Sequence, residues 1–589
     1  MSLPAPGADG LPSLSPVTRW LVLAVAAIGF LFDTYELLML PLIGAPAIAE
    51  LLGVPPNNPQ VREWLGYILW AAAVCGGVFG LAGGLLIDRF GRKRIMILSI
   101  LLYSFSPVAA AFSTSVWMFA LFRCTTFIGV CVEFVAAITW LAELFEDKRT
   151  RELAIGWTQA FASVGGLVVT GANTLARTYA DRLPAIPVPE PFDSHAFWRY
   201  TLLTGLVPGV LILLLMPFVP ESRVWLARKR AGTLRRPRFA ELFSPELRRV
   251  TLVSTALSAC AYAAAFGALQ LTPTQVVPGL PSLVEQQKQL KPLREEATEL
   301  NSQLNETQAK LRAQFASVAG LEDVVNARSV AQRDLRKARE RIEAAKKAEQ
   351  QPPADAEPQV QAAQAKLKEL TGRLNEVTKE HTEARQLVLD REATLQKLGA
   401  NRGKQAEPDQ QIRDKGDLMQ FWQEMGGLVG RILLAALLVV ILNRRVLLRV
   451  FQVPGLVAFP LTYYFLFRDQ PDLFAFGVFV CGLCTVSQFS YLGEYLPKAF
   501  PVHLRGTGGS FATNVGGRMV GTSASFVTTS LVAPLVTGGT FVQVATGAAI
   551  VGTVVYLLGV LLSFALPTPK EEGHVSPSQP GAAAPEKSV

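Results

Sequence analysis

Charge is scarce in this 589-residue chain: Asp, Glu, Lys and Arg make up 17% of it, while half of its residues are hydrophobic. Soluble globular chains carry about a quarter charged residues, so the composition argues against one. Cysteine is scarce too. The six present, Cys75, Cys124, Cys131, Cys260, Cys481 and Cys484, all fall inside apolar runs, so no disulfide is expected. Cys481 and Cys484 have the spacing of a redox or zinc pair but no His or further Cys beside them, and read as small buried residues. The four histidines lie outside the apolar runs, and no Ser-His-Asp set, metal cluster or phosphate-cradling loop can be assembled. Neither an enzyme, a cofactor, a bound metal nor an ATP-driven pump is expected. A short apolar region with a cleavage site is missing before Arg19, so no signal peptide is expected to be removed.

What is present is a series of apolar runs, each close to the ~20 residues that cross a ~30 Å hydrocarbon core. Six lie near Trp20–Ile43, Leu65–Ile87, Ile95–Phe112, Val116–Leu141, Leu153–Leu175 and Tyr200–Val219. Six more lie near Val250–Leu271, Trp422–Leu442, Val446–Phe467, Leu473–Leu492, Ser510–Leu535 and Val542–Leu566. The expected fold is an all-α membrane protein with twelve transmembrane helices in two six-helix, pseudo-symmetric bundles. The net charge of +9 does not point to nucleic acid, because Lys and Arg cluster in short loops beside the runs and in one polar segment. Gly91–Arg94, Asp147–Arg151, the stretch from Ala227, Asn443–Arg445 and Arg505 all fall on the side that carries both termini. By the positive-inside rule that side is the cytoplasm of an inner-membrane, multi-pass protein.

The domain plan is a cytoplasmic tail (1–18), a first bundle (19–225), a cytoplasmic linker (226–247) and a seventh helix (248–274). An extracytoplasmic insertion (275–419), five further helices (420–567) and a disordered cytoplasmic tail (568–589) complete it. The insertion carries heptad spacing: Leu290, Leu293, Ala297, Leu300, Leu304, Thr307 and Leu311 alternate by three and four. After a phase break at Gly320 the spacing resumes through Leu321, Val324, Arg328, Ala331, Leu335, Ala338 and Ile342. A third stretch runs Val360, Ala363, Leu367, Leu370, Leu374, Val377, His381 and Ala384, set off by the Pro-rich Gln351–Pro358. A helical coiled-coil hairpin is expected. At about 1.5 Å per residue its arms, 283–349 and 359–398, are unequal, so either the first arm folds at Gly320 into a three-helix bundle or part of it pairs with another protein. A solvated spacer and a docking site for an extracytoplasmic protein are both consistent with the pattern.

The string GLLIDRFGRKRIMI, Gly84 to Ile97, resembles the signature between the second and third helices of the major facilitator superfamily. WLAELFEDKRTR and YLGEYLPKAFPVHLRGTG resemble the paired Glu and Arg motifs of its sugar porters and organic-anion symporters, and PESRVWLARKR from Pro220 is similar to the sugar-porter string after helix six. The resemblance implies the facilitator fold and a gating latch built from Gly84, Asp88, Arg89, Gly91, Arg92 and Glu221. It also implies charge pairs of Glu143 with Arg149 and of Glu494 with Arg505. The second half departs from the pattern, with only Asn443, Arg444 and Arg445 where a second Asp-Arg-Gly-Arg loop would stand.

Ionisable residues inside the runs are costly in hydrocarbon and therefore candidates for function. At 1.5 Å per residue, Asp33 and Arg123 fall at nearly the same depth, and an ion pair between them is expected. Asp33 is the proposed proton-coupling carboxylate. Arg123 is either its partner or an anchor for a substrate anion. Glu36, three residues on and on the same face, either shares the proton or snorkels. Glu133 is expected to make a structural hydrogen bond near the cytoplasmic boundary. Arg431 and Arg518 are both candidates to face a substrate anion, and for Arg518 the binding of cytoplasmic helix ends as part of the latch is the reading put first. Gln270, Gln488 and Asn514 complete the expected substrate-binding set. Span seven lacks the paired glutamines of sugar porters and span five lacks the Gly-Pro string of drug antiporters. The expected function is proton-coupled alternating access for a small organic solute, an organic anion ahead of a sugar or other neutral solute. A transporter-derived sensor or scaffold using the coiled coil is the alternative. The expected partners are the lipid bilayer, the small-molecule substrate and the proton.

Overall fold

The computed structural model describes residues 15–54, 59–145, 148–189, 192–233, 235–315, 317–347, 355–441 and 443–567. The expected C-terminal tail, most of the N-terminal tail and the Pro-rich reversal up to Ala354 lie outside the described residues. Every regular element among them is helical. The first six long helices are α1 (Pro16–Leu52), α2 (Pro59–Phe90), α3 (Arg92–Ala111), α4 (Val116–Leu144), α5 (Leu153–Tyr179) and α6 (Phe197–Phe218). Local chemistry sets their ends. The Ser15 hydroxyl accepts the Thr18 N–H at 3.1 Å to start α1, and Gly53, at φ 65°, closes it in the left-handed conformation glycine adopts freely. Ser115 caps α4 in the same way through the Met118 N–H at 3.2 Å.

Then come α7 (Arg248–Gly279), α8 (Val284–Phe315), α9 (Leu321–Lys347), α10 (Ala356–Val377) and α11 (Thr382–Val440). The last four are α12 (Arg444–Asp469), α13 (Pro471–Ala499), α14 (505–535) and α15 (Thr540–Ala565). Eleven of these, all but α8, α9, α10 and α14, are long and apolar enough to cross a membrane. The α14 run mixes α, 3₁₀ and π turns, the π turns at Phe511–Val520 and Val527–Val532. It is rich in Gly, Ser and Thr, and π turns concentrate where a helix serves a site.

Glycines let helices touch backbone to backbone, as packing in lipid demands. A Cβ on Gly426 or Gly430 of α11 would strike the Phe479 or Leu483 carbonyl of α13, and one on Gly482 of α13 would strike the Gln423 carbonyl. Gly165 of α5 meets the Leu31 carbonyl of α1 in the same manner.

The chain divides into two compact units, one of residues 1–284 and 412–589 and the other of residues 285–411. The second unit is thus shorter than the expected insertion 275–419, because α7 continues to Gly279 and α11 is already part of the first unit from Ile412. Its two arms are each broken once, at Gly320 (φ 78°) and at Thr378–His381. The second arm does not stop at Leu398 but continues as helix through Pro408, which removes the inequality expected between the arms and with it the case for a three-helix bundle. Of the heptad positions, Leu290, Ala297, Leu300, Leu304, Leu311, Leu321, Val324, Ala331, Ala338, Ala363, Leu370, Leu374 and Ala384 are buried, and Leu293, Thr307, Leu335, Ile342, Val360, Leu367 and Val377 are half-buried. His381 is exposed, because the helix breaks there and Thr378 takes the buried place.

Arg328 occupies an apolar heptad position and is buried all the same. Its Nε and Nη2 donate to Glu392 at 2.7 Å each and its Nη1 to Thr371 Oγ1 at 2.7 Å. Removing one member of such a pair leaves a buried charge, at about 3–5 kcal/mol. Arg328→Ala is expected to lose amide hydrogen-exchange protection across 321–340 and 384–395, whereas the double change R328L/E392L regains it.

Candidate functional site

One end of the first unit is closed by contacts between the two helix sets. Asp88, at the C-terminal end of α2, accepts from the Gly506 N–H at 2.9 Å, the Thr507 N–H at 2.8 Å and the Thr507 hydroxyl at 2.8 Å. The two N–H groups are amides at the start of α14 that lack a partner within the helix, which a carboxylate satisfies well. Gly84, one turn earlier, packs so closely that a Cβ would sit 2.5 Å from the Gly506 carbonyl. Arg92 is fully buried and donates to the Ile87 carbonyl at 3.2 Å, to Glu143 at 3.0 Å and to the Val502 carbonyl at 2.8 Å. Gly91 takes φ 108°, and the Glu221 carboxylate lies where its side chain would be, accepting from the Arg92 and Lys93 N–H groups at 3.0 and 2.9 Å. Arg89 is exposed and lies over the Phe90 ring.

The charge pairs differ from expectation. Arg505 reaches Glu143 of the other helix set at 3.4 Å, and Glu494 pairs with Arg444 at 3.4 Å and with Lys498. The Arg149 side chain lies outside the described residues. Sequence motifs recur within each half, so they could not show that Glu143 bonds across the halves.

Further along the helices the expected pair of Asp33 with Arg123 is not formed. Asp33 instead accepts from Arg518 Nη2 at 3.2 Å. Arg123 donates to the Glu36 backbone carbonyl at 3.0 Å and faces the Glu36 carboxylate at 3.7 Å. Arg123 thus meets α1 about one turn beyond Asp33. Glu36 points toward Gly205 of α6, with its Oε1 2.7 Å from that residue's Cβ position. Arg518 therefore does not bind cytoplasmic helix ends. Its guanidinium also stacks over Phe127 and Phe134 of α4 at 5.9 and 5.4 Å.

A cavity of about 110 Å³ opens beside this pair. Its polar wall is Asp33, Thr34, Gln159, Gln270, Gln423, Glu424, Arg431 and Arg518, and Phe30, Phe134, Tyr262, Phe266 and Phe489 supply aromatic cover. Of the expected substrate set, Gln270 and Arg431 line it. Arg123, Gln488 and Asn514 do not. Gln488 accepts from Gln452 at 3.2 Å, and Asn514 donates to the Cys131 carbonyl at 3.1 Å, so both amides are taken up in helix packing. Glu424, Gln159 and Gln423 were not foreseen. The signal for Glu424 was its place seven residues before Arg431, two turns along one helix face. The Arg431 guanidinium also donates to the Gln159 carbonyl.

Residues 21–288 match the sequence profile of the Major Facilitator Superfamily. The matched stretch is just under half of the chain. It is 30% identical over 192 residues to the 4-hydroxybenzoate transporter PcaK of Pseudomonas aeruginosa, covering 32% of this chain and 38% of the relative. It is 29% identical over 223 residues to the arabinose-proton symporter of Bacillus subtilis, covering 36% and 44%. The chain thus spans less than half the length of these curated relatives. The proton:xylose symporter XylE bound to 6-bromo-6-deoxy-D-glucose superposes with a TM-score of 0.53 at 16% identity, covering 94% of this chain and 97% of that one, a likeness of fold alone.

Proposed function

We propose that this chain is a transporter of the Major Facilitator Superfamily that carries a small organic anion together with a proton, by rocking its two helix bundles about the central cavity. The observation that carries the reading is the Asp33–Arg518 pair in the cavity wall. A proton on Asp33 leaves the wall with one guanidinium lacking a counter-charge, in a medium where an unpaired charge is costly. A carboxylate solute offsets that charge, so proton and anion enter as a neutral couple. The pair joins α1 to α14, one helix from each half, so the same protonation loosens the contact between the halves at the level of the cavity. Arg431 and Gln270 supply donors for the anion, and the aromatic side chains favour a flat, partly apolar body. A relative named for 4-hydroxybenzoate accords with the anion, and one named as an arabinose-proton symporter accords with the proton alone.

The basic loops favour cytoplasmic termini in the inner membrane. For the 285–411 unit, the closed hairpin favours a self-contained accessory module over one that requires a partner protein.

The test is uptake into proteoliposomes with and without an inward proton gradient, using 4-hydroxybenzoate and related carboxylates beside arabinose. Gradient-driven accumulation of a carboxylate is expected. Uptake that never exceeds equilibrium, or accumulation of the sugar alone, would overturn the proposal.

A further inference from the structure

Glu133 of α4 is 0% exposed, and neither of its carboxylate oxygens has a hydrogen-bond partner among the described residues. The structural hydrogen bond expected for it is not there. It sits against Gly29 of α1, one turn from Asp33. On its other side α14 closes in, with Asn514 bonded to the Cys131 carbonyl and Arg518 over the Phe134 ring. From α3 the Tyr103 hydroxyl, also buried and unpartnered, faces the same space. The charged groups acting on Glu133 are Asp33 and Arg518.

The charged groups around the cavity do not balance. Among the described residues there are four carboxyl groups, Asp33, Glu36, Glu133 and Glu424, and three guanidinium groups, Arg123, Arg431 and Arg518. Arg123 goes with Glu36 and Arg518 with Asp33, while Arg431 stands beside Glu424. Glu133 is left over. An ionised carboxylate with no hydrogen bond and no cation of its own is the arrangement that apolar surroundings tolerate least.

We propose that Glu133 and Asp33 share one proton around Arg518. In the conformation described here the proton rests on Glu133, and Asp33 is the carboxylate paired with Arg518. In the exchanged form the O–H bond of Glu133 breaks, one forms on Asp33, and Arg518 changes counter-ion from Asp33 to Glu133. No charge is created at any step, because two carboxyl groups, one proton and one guanidinium are neutral in both forms. Glu133 is thus an inner proton site behind the cavity-facing one. Tyr103 and Glu36, the other titratable groups facing this space from α3 and α1, keep their protonation in the exchange.

The inference rests on the proposed coupling at Asp33, but its test needs no transported solute. The protonated-carboxyl C=O stretch is recorded by infrared spectroscopy on the full-length protein in liposomes at neutral pH, with exchange into D2O. Wild type is expected to show a band that disappears in Glu133→Gln. It is expected to disappear in Asp33→Asn as well, because Glu133 must then ionise to serve Arg518. Glu133→Asp, which keeps a carboxyl group, is expected to shift the band. A band untouched by Glu133→Gln, or absent from wild type, would mean that Glu133 carries no proton. A band lost in Glu133→Gln but kept in Asp33→Asn would make it an isolated buried acid and overturn the sharing. Should carboxylate uptake fail while these bands behave as expected, the assignment of cargo falls and the proton pair stands.

Discussion

Asp33→Asn is expected to abolish uphill uptake while leaving solute counterflow intact. One pH unit of gradient corresponds to about 1.4 kcal/mol per proton, or about tenfold accumulation for a carrier that moves one proton with each solute. Asparagine holds no exchangeable charge, so the accumulation ratio is expected to fall from that limit to about one. Counterflow needs only the rocking of a loaded carrier, which a neutral side chain beside Arg518 permits. The measurement is the steady-state ratio in proteoliposomes at a fixed gradient, set beside the exchange rate with equal solute on both sides. Uphill uptake that persists in the variant would remove Asp33 from the coupling path.

The second large effect concerns the closed end. Asp88 accepts three hydrogen bonds from the start of α14, and bonds to a charged group contribute about 1.5–3 kcal/mol each. Asp88→Asn keeps the size of the side chain but can match only part of that set. A loss of about 3 kcal/mol shifts the closed-to-open ratio more than a hundredfold. A single cysteine at Thr139, in the small hollow behind the contact that Arg505 and Gly509 also line, reports the opening. In inside-out vesicles lacking the native cysteines, its labelling by an impermeant thiol reagent is expected to rise at least tenfold. Gly84→Val, which pushes a side chain into the Gly506 carbonyl, is expected to act in the same direction. Unchanged labelling in both would mean that the Asp88 contact does not hold the ends together.

Much of the architecture was legible because hydrocarbon is an unforgiving solvent: run lengths, basic loops and the Gly84–Ile97 string mark helices and their order. The arrangement of Asp88, Gly84 and Arg92 at the end of α2 also lay close to what the motif implied. The pairing at the cavity was harder. Rise per residue locates Asp33, Glu36 and Arg123 along the membrane normal, but the choice between Arg123 and Arg518 depends on which way each helix is turned. The π turns of α14 move Arg518 away from any regular periodicity. Gln488 and Asn514 looked like cavity residues because they are polar in apolar runs, yet a buried amide serves equally well as a strut between helices. In the insertion, Pro408 hid the continuation of the second arm, since proline lowers helix propensity whatever the tertiary context supplies.

The bare carbonyl-to-glycine contacts have a mechanical implication. Where Gly426, Gly430 and Gly482 lay one main chain on another, no methyl group remains to be compressed and no lipid tail fits between, so α11 and α13 move as a single plank. Flexing within each half is thereby suppressed, and the work of reorientation falls on the seam between the halves.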